Sequence, residues 1–238
     1  MAKGPMTKTS LRKIAAFDFD GTSIRGNSPV LLVHSLLRDK MLDKYVIAKI
    51  ASWGIAYKLH LPQNEAWVRS LVFTAFEGLP KEEADRYLRR FYDEVIEGEN
   101  RFRQQATTAM RELRDQGVEV LVVSATFEPI VQRAKELHPF DNFIATKMAT
   151  DAQGRYTTSV DGSCIEGEEK VKSIRAYADA RYGCGKWELV AAYGDHHSDA
   201  PLLSAAKQGF AVCPDNTLER KARRRGWTIL DWSEDVKN

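Results

Sequence analysis

Short apolar runs alternate with longer amphipathic segments along most of the chain. Five runs rich in β-branched and other apolar residues predict strands of a buried sheet, at 14–17, 118–123, 188–193, 209–212 and 228–230. Two more, 143–148 and 156–160, flank a turn and predict a β-hairpin. Segments with helical periodicity lie between them, at 99–116, 128–137, 168–181, 201–207 and 217–225. Strands that alternate with helices predict the α/β class with a doubly wound parallel sheet.

Residues 28–97 interrupt this alternation, because their apolar positions recur at helical spacing without a strand pattern. We expect Ser28 to cap the first helix of this block and Pro29 to lie in its first turn. Further helices are predicted over 45–59, 64–76 and 81–96. The pattern predicts an all-helical insert at 28–97, within a core formed by residues 1–27 and 98–238.

Composition sets only broad limits on function. The 238 residues carry a net charge of +2 and are 43% hydrophobic, which gives no general attraction for nucleic acid or an anionic membrane. No run approaches the roughly 18 apolar residues of a membrane-spanning helix. The dispersed Cys164, Cys184 and Cys213 argue against a disulfide framework or a zinc site built from cysteines. Residues 1–13 lack the apolar stretch of a secretory signal, and we expect a cytoplasmic protein.

Polar side chains follow three of the predicted parallel strands. Each strand end carries a pair of them: Asp18 and Asp20, Ser124 and Thr126, and Asp195 and Asp199. The carboxyl ends of parallel strands meet at one edge of the sheet, where α/β proteins bind ligands. Carboxylates this close repel each other unless a cation lies between them, and Mg²⁺ favours such oxygen ligands. Taken alone, Asp18 and Asp20 also fit an ordinary Asp-Gly turn.

Four segments in this order resemble the motifs of the haloacid dehalogenase superfamily of phosphohydrolases: Asp18-Phe19-Asp20-Gly21-Thr22, Ser124, Lys170 and Gly194-Asp195-His196-His197-Ser198-Asp199. The helical block resembles the first type of cap in that superfamily. More narrowly, Gly154-Arg155-Tyr156-Thr157 and Gly167-Glu168-Glu169-Lys170-Val171 resemble the phosphoserine phosphatase-like subfamily, IB. The resemblance extends over the core, from the first strand to the fourth.

The resemblance implies a phosphatase that works through an aspartyl-phosphate. Asp18 corresponds to the nucleophile, and Asp20 to the acid that protonates the leaving group and then activates water. A Mg²⁺ cofactor is implied, held by the carboxylates of Asp18 and Asp195 and the main-chain carbonyl of Asp20. Asp199 corresponds to a residue that orients metal-bound water.

The phosphoryl group of the substrate has its own implied contacts. By the same resemblance, its oxygens are bound by the hydroxyl of Ser124, main-chain amides near Ala125 and the ammonium of Lys170. We expect a small-molecule phosphomonoester as the partner, and neither nucleic acid nor a membrane span. His196 and His197 lie in the fourth motif, where they either face solvent or reach the substrate.

The reaction itself stays open at this point. A phosphatase for a small metabolite and a phosphotransferase or mutase both fit the catalytic residues. Five aromatic residues of the cap form either its core or a slot for a lipid head-group phosphate, as in phosphatidylglycerophosphate phosphatases: Trp53, Tyr57, Trp67, Phe73 and Phe76. The non-enzymatic alternatives are a binding module without turnover and a phospho-accepting signalling switch.

Five residues, in three segments of the chain, depart from the phosphoserine phosphatase pattern. His197 and Ser198 replace a small residue and an Asn, and Ala125-Thr126 replaces two glycines. Asn27 occupies the position of a Glu that binds the substrate ammonium in those enzymes.

We therefore predict weak or absent preference for phosphoserine, because the neutral amide of Asn27 lacks the Coulombic attraction of a carboxylate. The measurement compares kcat/KM for phosphoserine with kcat/KM for a phosphomonoester of similar size that has no amino group. Comparable values agree with the prediction, and a strong preference for phosphoserine contradicts it.

Overall fold

The computed structural model describes residues 11–42 and 72–233, and seven strands within them form one sheet in the order β4-β3-β2-β1-β5-β6-β7. The strands are β1 (Arg12–Phe17), β2 (Glu119–Phe127), β3 (Asn142–Thr150), β4 (Tyr156–Asp161), β5 (Trp187–Gly194), β6 (Gln208–Val212) and β7 (Thr228–Leu230). All neighbours are parallel except β3 and β4, which form the predicted antiparallel hairpin. The predicted α/β fold with a doubly wound sheet is confirmed.

Helices cover both faces of this sheet. They are α1 (Ser28–Arg38), α2 (Lys81–Phe91), α3 (Gln104–Asp115), α4 (Glu128–Leu137), α5 (Glu168–Tyr182), α6 (Ala200–Ala205) and α7 (Asn216–Arg225). Residues of β1 alternate between two hydrophobic clusters: Ala15 and Phe17 pack with α1 to α4, and Ile14 and Ala16 with α5 to α7. Burial on both faces explains why every position over 14–17 is apolar.

Several predicted boundaries move in the structure. β2 continues to Phe127 instead of ending at 123, because Ser124 and Phe127 still pair with β3. The helix predicted over 99–116 begins only at Gln104, since Arg103 donates its main-chain N–H to Ser23 O (2.9 Å) in the segment after β1. The helix predicted over 81–96 is α2 followed by a π-helical segment, Tyr92–Glu97.

The start of α1 corrects the prediction for Ser28. The N-cap is Asn27, whose Oδ1 accepts a hydrogen bond from Val30 N (3.2 Å), and Ser28 is the first helical residue. An Asn is as good a cap as a Ser, and the preceding residue is the one with the extended backbone that a cap needs. Pro29 lies in the first turn, as predicted.

The aromatic residues of the cap lie only partly within the described ranges. Phe73 and Phe76 are buried in the core, where Phe73 meets Phe127 of β2 edge-on with ring centroids 5.2 Å apart. Trp53, Tyr57 and Trp67, the helix predicted over 45–59 and most of that over 64–76 lie outside them. The domain boundaries at 28 and 97 accordingly stay a prediction. No helix in the described part of the chain has the length and apolar character to cross a membrane.

A buried carboxylate organises the sheet edge opposite to the polar strand ends. Glu119, at the start of β2, is 2% exposed, and its Oε1 accepts hydrogen bonds from Tyr177 Oη (2.6 Å) and Asn142 Nδ2 (3.1 Å). Tyr182 Oη donates to its Oε2, and Arg12 Nε lies 3.7 Å from that atom. Burial alone would raise the pKa of Glu119, but these donors outweigh it and lower the pKa below its ordinary value.

We predict that Glu119→Gln lowers the free energy of unfolding at neutral pH by about 1–3 kcal/mol, because partly buried donors lose a charged acceptor. A lowered folded-state pKa means that this stabilisation is complete above the unfolded-state pKa, about 4.3, and is lost as the pH falls through the folded-state value. Urea unfolding at several pH values should show the difference in stability between wild type and variant shrinking as the pH falls below about 4.3.

The matched control is Glu99→Gln, which changes an exposed carboxylate that pairs with Arg101 on the surface. It should change the free energy of unfolding by no more than about 0.5 kcal/mol at each of these pH values. An effect of Glu119→Gln as small as that of the control would contradict the prediction.

Candidate active site

Asp18 stands at the end of β1, where the chain leaves the sheet. Its main-chain N–H donates to Tyr193 O of β5 (2.9 Å), so the pairing of β1 with β5 extends as far as Asp18 itself. Its carbonyl accepts a hydrogen bond from Ser23 Oγ (2.6 Å), which folds the following loop back under the strand. The backbone at Asp18 is therefore fixed from both sides.

Lys170 brings two carboxylates together. Its Nζ lies 2.6 Å from Asp18 Oδ1 and 2.6 Å from Asp199 Oδ1, and all three residues are buried. Burial alone would lower the pKa of Lys170, but the two carboxylates raise it above its ordinary value, so the ammonium is retained. The sequence predicted all three as site residues, and the structure brings them into contact.

Asp195 adds a third carboxylate to this group. One carboxylate oxygen from each of Asp18, Asp195 and Asp199 lies within 4.8 Å of the others, close enough to share a metal ion. Burial and the charge of Asp199 raise the pKa of Asp195 to about 7, although Thr22 Oγ1 donates to its Oδ1 (3.1 Å). Burial also raises the pKa of Asp18, against the attraction of Lys170.

Lys170 thus faces three carboxylates, of which Asp18 and Asp199 are buried and Asp195 is partly buried. The raised pKa values of Asp18 and Asp195 come first from burial and then from the neighbouring carboxylates. A set of buried carboxylate oxygens suits a hard divalent cation such as Mg²⁺. The residues at this edge fit the cofactor that the sequence predicted.

The carboxylate of Asp20 is bound by a clamp of hydroxyl and amide donors. Ser28 N donates to its Oδ1 (2.6 Å), while Ser28 Oγ (3.1 Å) and Thr126 Oγ1 both donate to its Oδ2. The two hydroxyls also lie 2.8 Å from each other. Burial raises the pKa of Asp20, and the donors oppose that rise. The environment of the Asp20 carboxylate thus differs from that of Asp18, which is bound to an ammonium.

Sequence reasoning missed this role for Ser28 and Thr126. The sequence already explained Ser28 as a helix cap, so it gave no reason to expect a second role. The contact of Ser28 with Asp20 depends on how the chain turns back after Gly21. Thr126 did carry a signal: it lies two residues beyond Ser124 at a predicted strand end.

Ser124 and Ala125 lie at the same sheet edge. The register pairs Phe17 with Val122, so Ser124 lies just beyond the level of Asp18 on the neighbouring strand. Ser124 is buried, and its Oγ accepts a hydrogen bond from Thr126 N (3.0 Å). Ala125 is partly exposed, which leaves the main chain beside it open to a ligand.

Two glycines let these elements approach closely. A Cβ on Gly21 would lie 2.0 Å from Asp195 Oδ2, and one on Gly194 would lie 2.6 Å from Asp199 Cβ. Gly21 also has φ of 71°, a conformation that other residues adopt only with strain. A glycine is therefore required at position 21 by the contact with Asp195, so the Asp20-Gly21 pair is more than a surface turn.

The comparisons with known proteins fit this geometry. A model of haloacid dehalogenase-like hydrolases matches residues 15–204. A histidinol-phosphatase from Neisseria meningitidis serogroup C is 27% identical over 237 residues, which cover 93% of this chain and 100% of the relative. The inhibition of morphological differentiation protein of Streptomyces azureus is 26% identical over 244 residues, which cover 100% of this chain and 84% of the relative.

A solved structure gives the same result for the fold. A phospho-aspartyl intermediate analogue of phosphoserine phosphatase superposes with a TM-score of 0.62 at 21% identity, covering 95% of this chain and 96% of that chain. At this identity the likeness establishes the shared fold alone.

Replacement of Gly21 tests the close approach. We predict that Gly21→Ala destabilises the protein well beyond the roughly 1–3 kcal/mol of backbone strain, because the new Cβ must displace the Asp195 carboxylate. Gly154→Ala is the matched control: its φ of 73° is nearly the same, and a Cβ there meets nothing within 4 Å. Urea denaturation of both variants measures the part of the destabilisation that comes from the contact with Asp195. Equal losses of stability would contradict the prediction, because the Asp195 carboxylate would then move aside at no energetic cost.

Proposed function

The chain belongs to the haloacid dehalogenase-like hydrolase family, and we propose that it is a magnesium-dependent phosphatase of small phosphate monoesters that works through an aspartyl-phosphate on Asp18. The main support for the proposal is that two carboxylates at the end of β1 have different surroundings. Asp18 is bound to an ammonium, and Asp20 is clamped by hydroxyl and amide donors. Two carboxylates in different environments are suited to two different roles.

Asp18 is the nucleophile in the proposed first step. Its Oδ1 is fixed by Lys170. A carboxylate oxygen attacks phosphorus, the bond from phosphorus to the ester oxygen breaks, and Asp20 gives its proton to the departing oxygen. The aspartyl-phosphate on Asp18 and the free alcohol are the products of this step.

Asp20 reverses its role in the proposed second step. As a carboxylate it takes a proton from water while the water oxygen attacks phosphorus, which releases inorganic phosphate and restores Asp18. Burial raises the pKa of Asp20 and the donors from Ser28 and Thr126 moderate that rise, which supports a group that gains and loses a proton in each cycle. Because Ser28 begins α1, the clamp also ties the acid to the first helix of the proposed cap.

The residues for phosphate and metal complete the proposal. Ser124 Oγ accepts from Thr126 N, so its own proton can be donated to a phosphoryl oxygen, alongside Lys170 and the amides near Ala125. Mg²⁺ would be held by the Asp18 and Asp195 carboxylates and the Asp20 carbonyl, with Asp199 beside them. When bound, the ion would offset the negative charge that the substrate brings to these carboxylates.

A small substrate has the better support among the esters considered. The relatives named histidinol-phosphatase and phosphoserine phosphatase carry small polar phosphate esters in their names. The lipid alternative needs an open aromatic slot, and Phe73 and Phe76 are buried in the core. Asn27, whose Oδ1 accepts from Val30 N at the helix cap, supports a substrate without the ammonium of phosphoserine.

Two variants test the proposed roles with an aryl phosphate, whose leaving group needs little help from an acid. We predict that Asp18→Asn lowers magnesium-dependent turnover to background, because the nucleophile is lost. Asp20→Asn should lower steady-state turnover by roughly 10²–10⁴-fold, yet release a burst of aryl alcohol approaching one equivalent per protein, because its defect lies in the second step. Stopped-flow absorbance and phosphate release separate the two patterns.

The control is Asp161→Asn, an exposed carboxylate at the end of β4 far along the sheet from β1. It should retain wild-type turnover. Full metal-dependent activity in Asp18→Asn would refute the assignment of the nucleophile.

A further inference from the structure

A second group of metal-binding side chains lies at the same edge of the sheet, next to the acidic cluster but separate from it. It comprises His196 and His197, which follow β5, and Asp215, which follows β6 and caps α7. One ligand atom from each residue lies within 4.8 Å of the others. The mechanism proposed above uses none of these three side chains.

The distances within this group match a transition-metal site. His197 Nδ1 lies 3.3 Å and His196 Nε2 lies 3.6 Å from Asp215 Oδ2, which also accepts a hydrogen bond from His197 N (2.8 Å). Bonds of about 2.0–2.1 Å to a tetrahedral Zn²⁺ separate neighbouring ligand atoms by about 3.3–3.4 Å. We propose that His196, His197 and Asp215 form a binding site for a transition-metal ion such as Zn²⁺, which extends beyond the proposed phosphatase function and does not depend on it.

Neighbouring groups hold the proposed ligands in position. Asp215 Oδ1 accepts hydrogen bonds from Thr217 N and Leu218 N, both at 2.7 Å, which turns Oδ2 toward the imidazoles. Ser198 holds the ring of His196: its N donates to His196 Nδ1 (3.4 Å), and its Oγ lies 3.0 Å from the same atom. The opposite nitrogen, Nε2, faces Asp215 and would bind a metal once the ring proton moves to Nδ1, where Ser198 Oγ can accept it. Such outer contacts orient the ligands of known metal sites.

Exposure and ligand type distinguish the site from the acidic cluster. The side chain of His197 is 58% exposed, and those of His196 and Asp215 are 35% and 32% exposed, so a metal here keeps a position open to water. Two imidazoles and one carboxylate suit Zn²⁺, Co²⁺ or Ni²⁺, whereas the all-carboxylate group of Asp18, Asp195 and Asp199 suits Mg²⁺. The two sites are expected to select different ions.

The proposed site is also coupled to the acidic cluster through the backbone. Asp215 N donates to Asp195 O (2.9 Å), and His196 N donates to Asp199 Oδ2 (3.3 Å). An ion bound by the three residues would link the loop after β5 to the start of α7. It would thereby stabilise the loop that carries Asp195 and Asp199, and raise the melting temperature of the protein.

Cobalt titration tests the proposal on the intact protein. Co²⁺ is added in the presence of excess Mg²⁺, which fills the acidic cluster, and visible absorption is recorded because four-coordinate Co²⁺ absorbs far more strongly than six-coordinate Co²⁺. We expect one strongly absorbing Co²⁺ per chain, displaced by Zn²⁺. His197→Ala and Asp215→Asn should each weaken Co²⁺ binding at least roughly tenfold, as should Ser198→Ala, which removes the partner of His196 Nδ1.

The variants are chosen to keep the fold. His197 is exposed, and Asn caps a helix about as well as Asp, so both variants should unfold at the wild-type temperature without metal. His34→Ala, which removes an exposed histidine on α1, is the control and should bind Co²⁺ as wild type does. Equal Co²⁺ affinity in wild type, His197→Ala and Asp215→Asn would overturn the proposal, as would a weak six-coordinate spectrum in the wild type.

Discussion

The contact of the Lys170 ammonium with the carboxylates of Asp18 and Asp199 is the constraint on which the rest of the site depends. Three carboxylates, two of them buried and Asp195 partly buried, meet at one edge of a parallel sheet, where their mutual repulsion would oppose folding. Lys170 reaches them from the first turn of α5, on the face of the sheet opposite to the clamp on Asp20. One ammonium faces three carboxylates there, and the oxygen atoms of these carboxylates fit a divalent cation such as Mg²⁺.

The second feature of the site is the separation of Asp20 from this charged group. Its carboxylate is bound by neutral donors from two elements that are distant in the sequence, α1 and the end of β2. Environment gives the two aspartates different chemistry, although they are only two residues apart. Because Ser28 begins α1, the position of the Asp20 carboxylate depends on the first helix of the block predicted to form the cap.

Much of this arrangement is readable from the sequence, for definite physical reasons. The core strands are apolar at nearly every position because both faces are buried, and Asp18, Lys170, Asp195 and Asp199 follow strand ends or a helix start in a fixed order. Ser28 is a residue whose role the sequence does not specify. A serine before a proline predicts a helix cap, but the cap is Asn27, and Ser28 donates hydrogen bonds to Asp20. The contact among His196, His197 and Asp215 depends on where α7 begins relative to β5, which no local pattern specifies.

The most direct measurement of the central claim is the location of the phosphoryl group during turnover. Asp20→Asn protein is mixed with a phosphate monoester and Mg²⁺, quenched in acid within milliseconds to seconds, digested and examined by tandem mass spectrometry. We expect an acid-stable, hydroxylamine-sensitive phosphoryl group on the peptide that contains Asp18, at close to one per chain. A phosphoryl group on His196 or His197, or steady turnover with no phosphorylated protein at any time, would contradict the account.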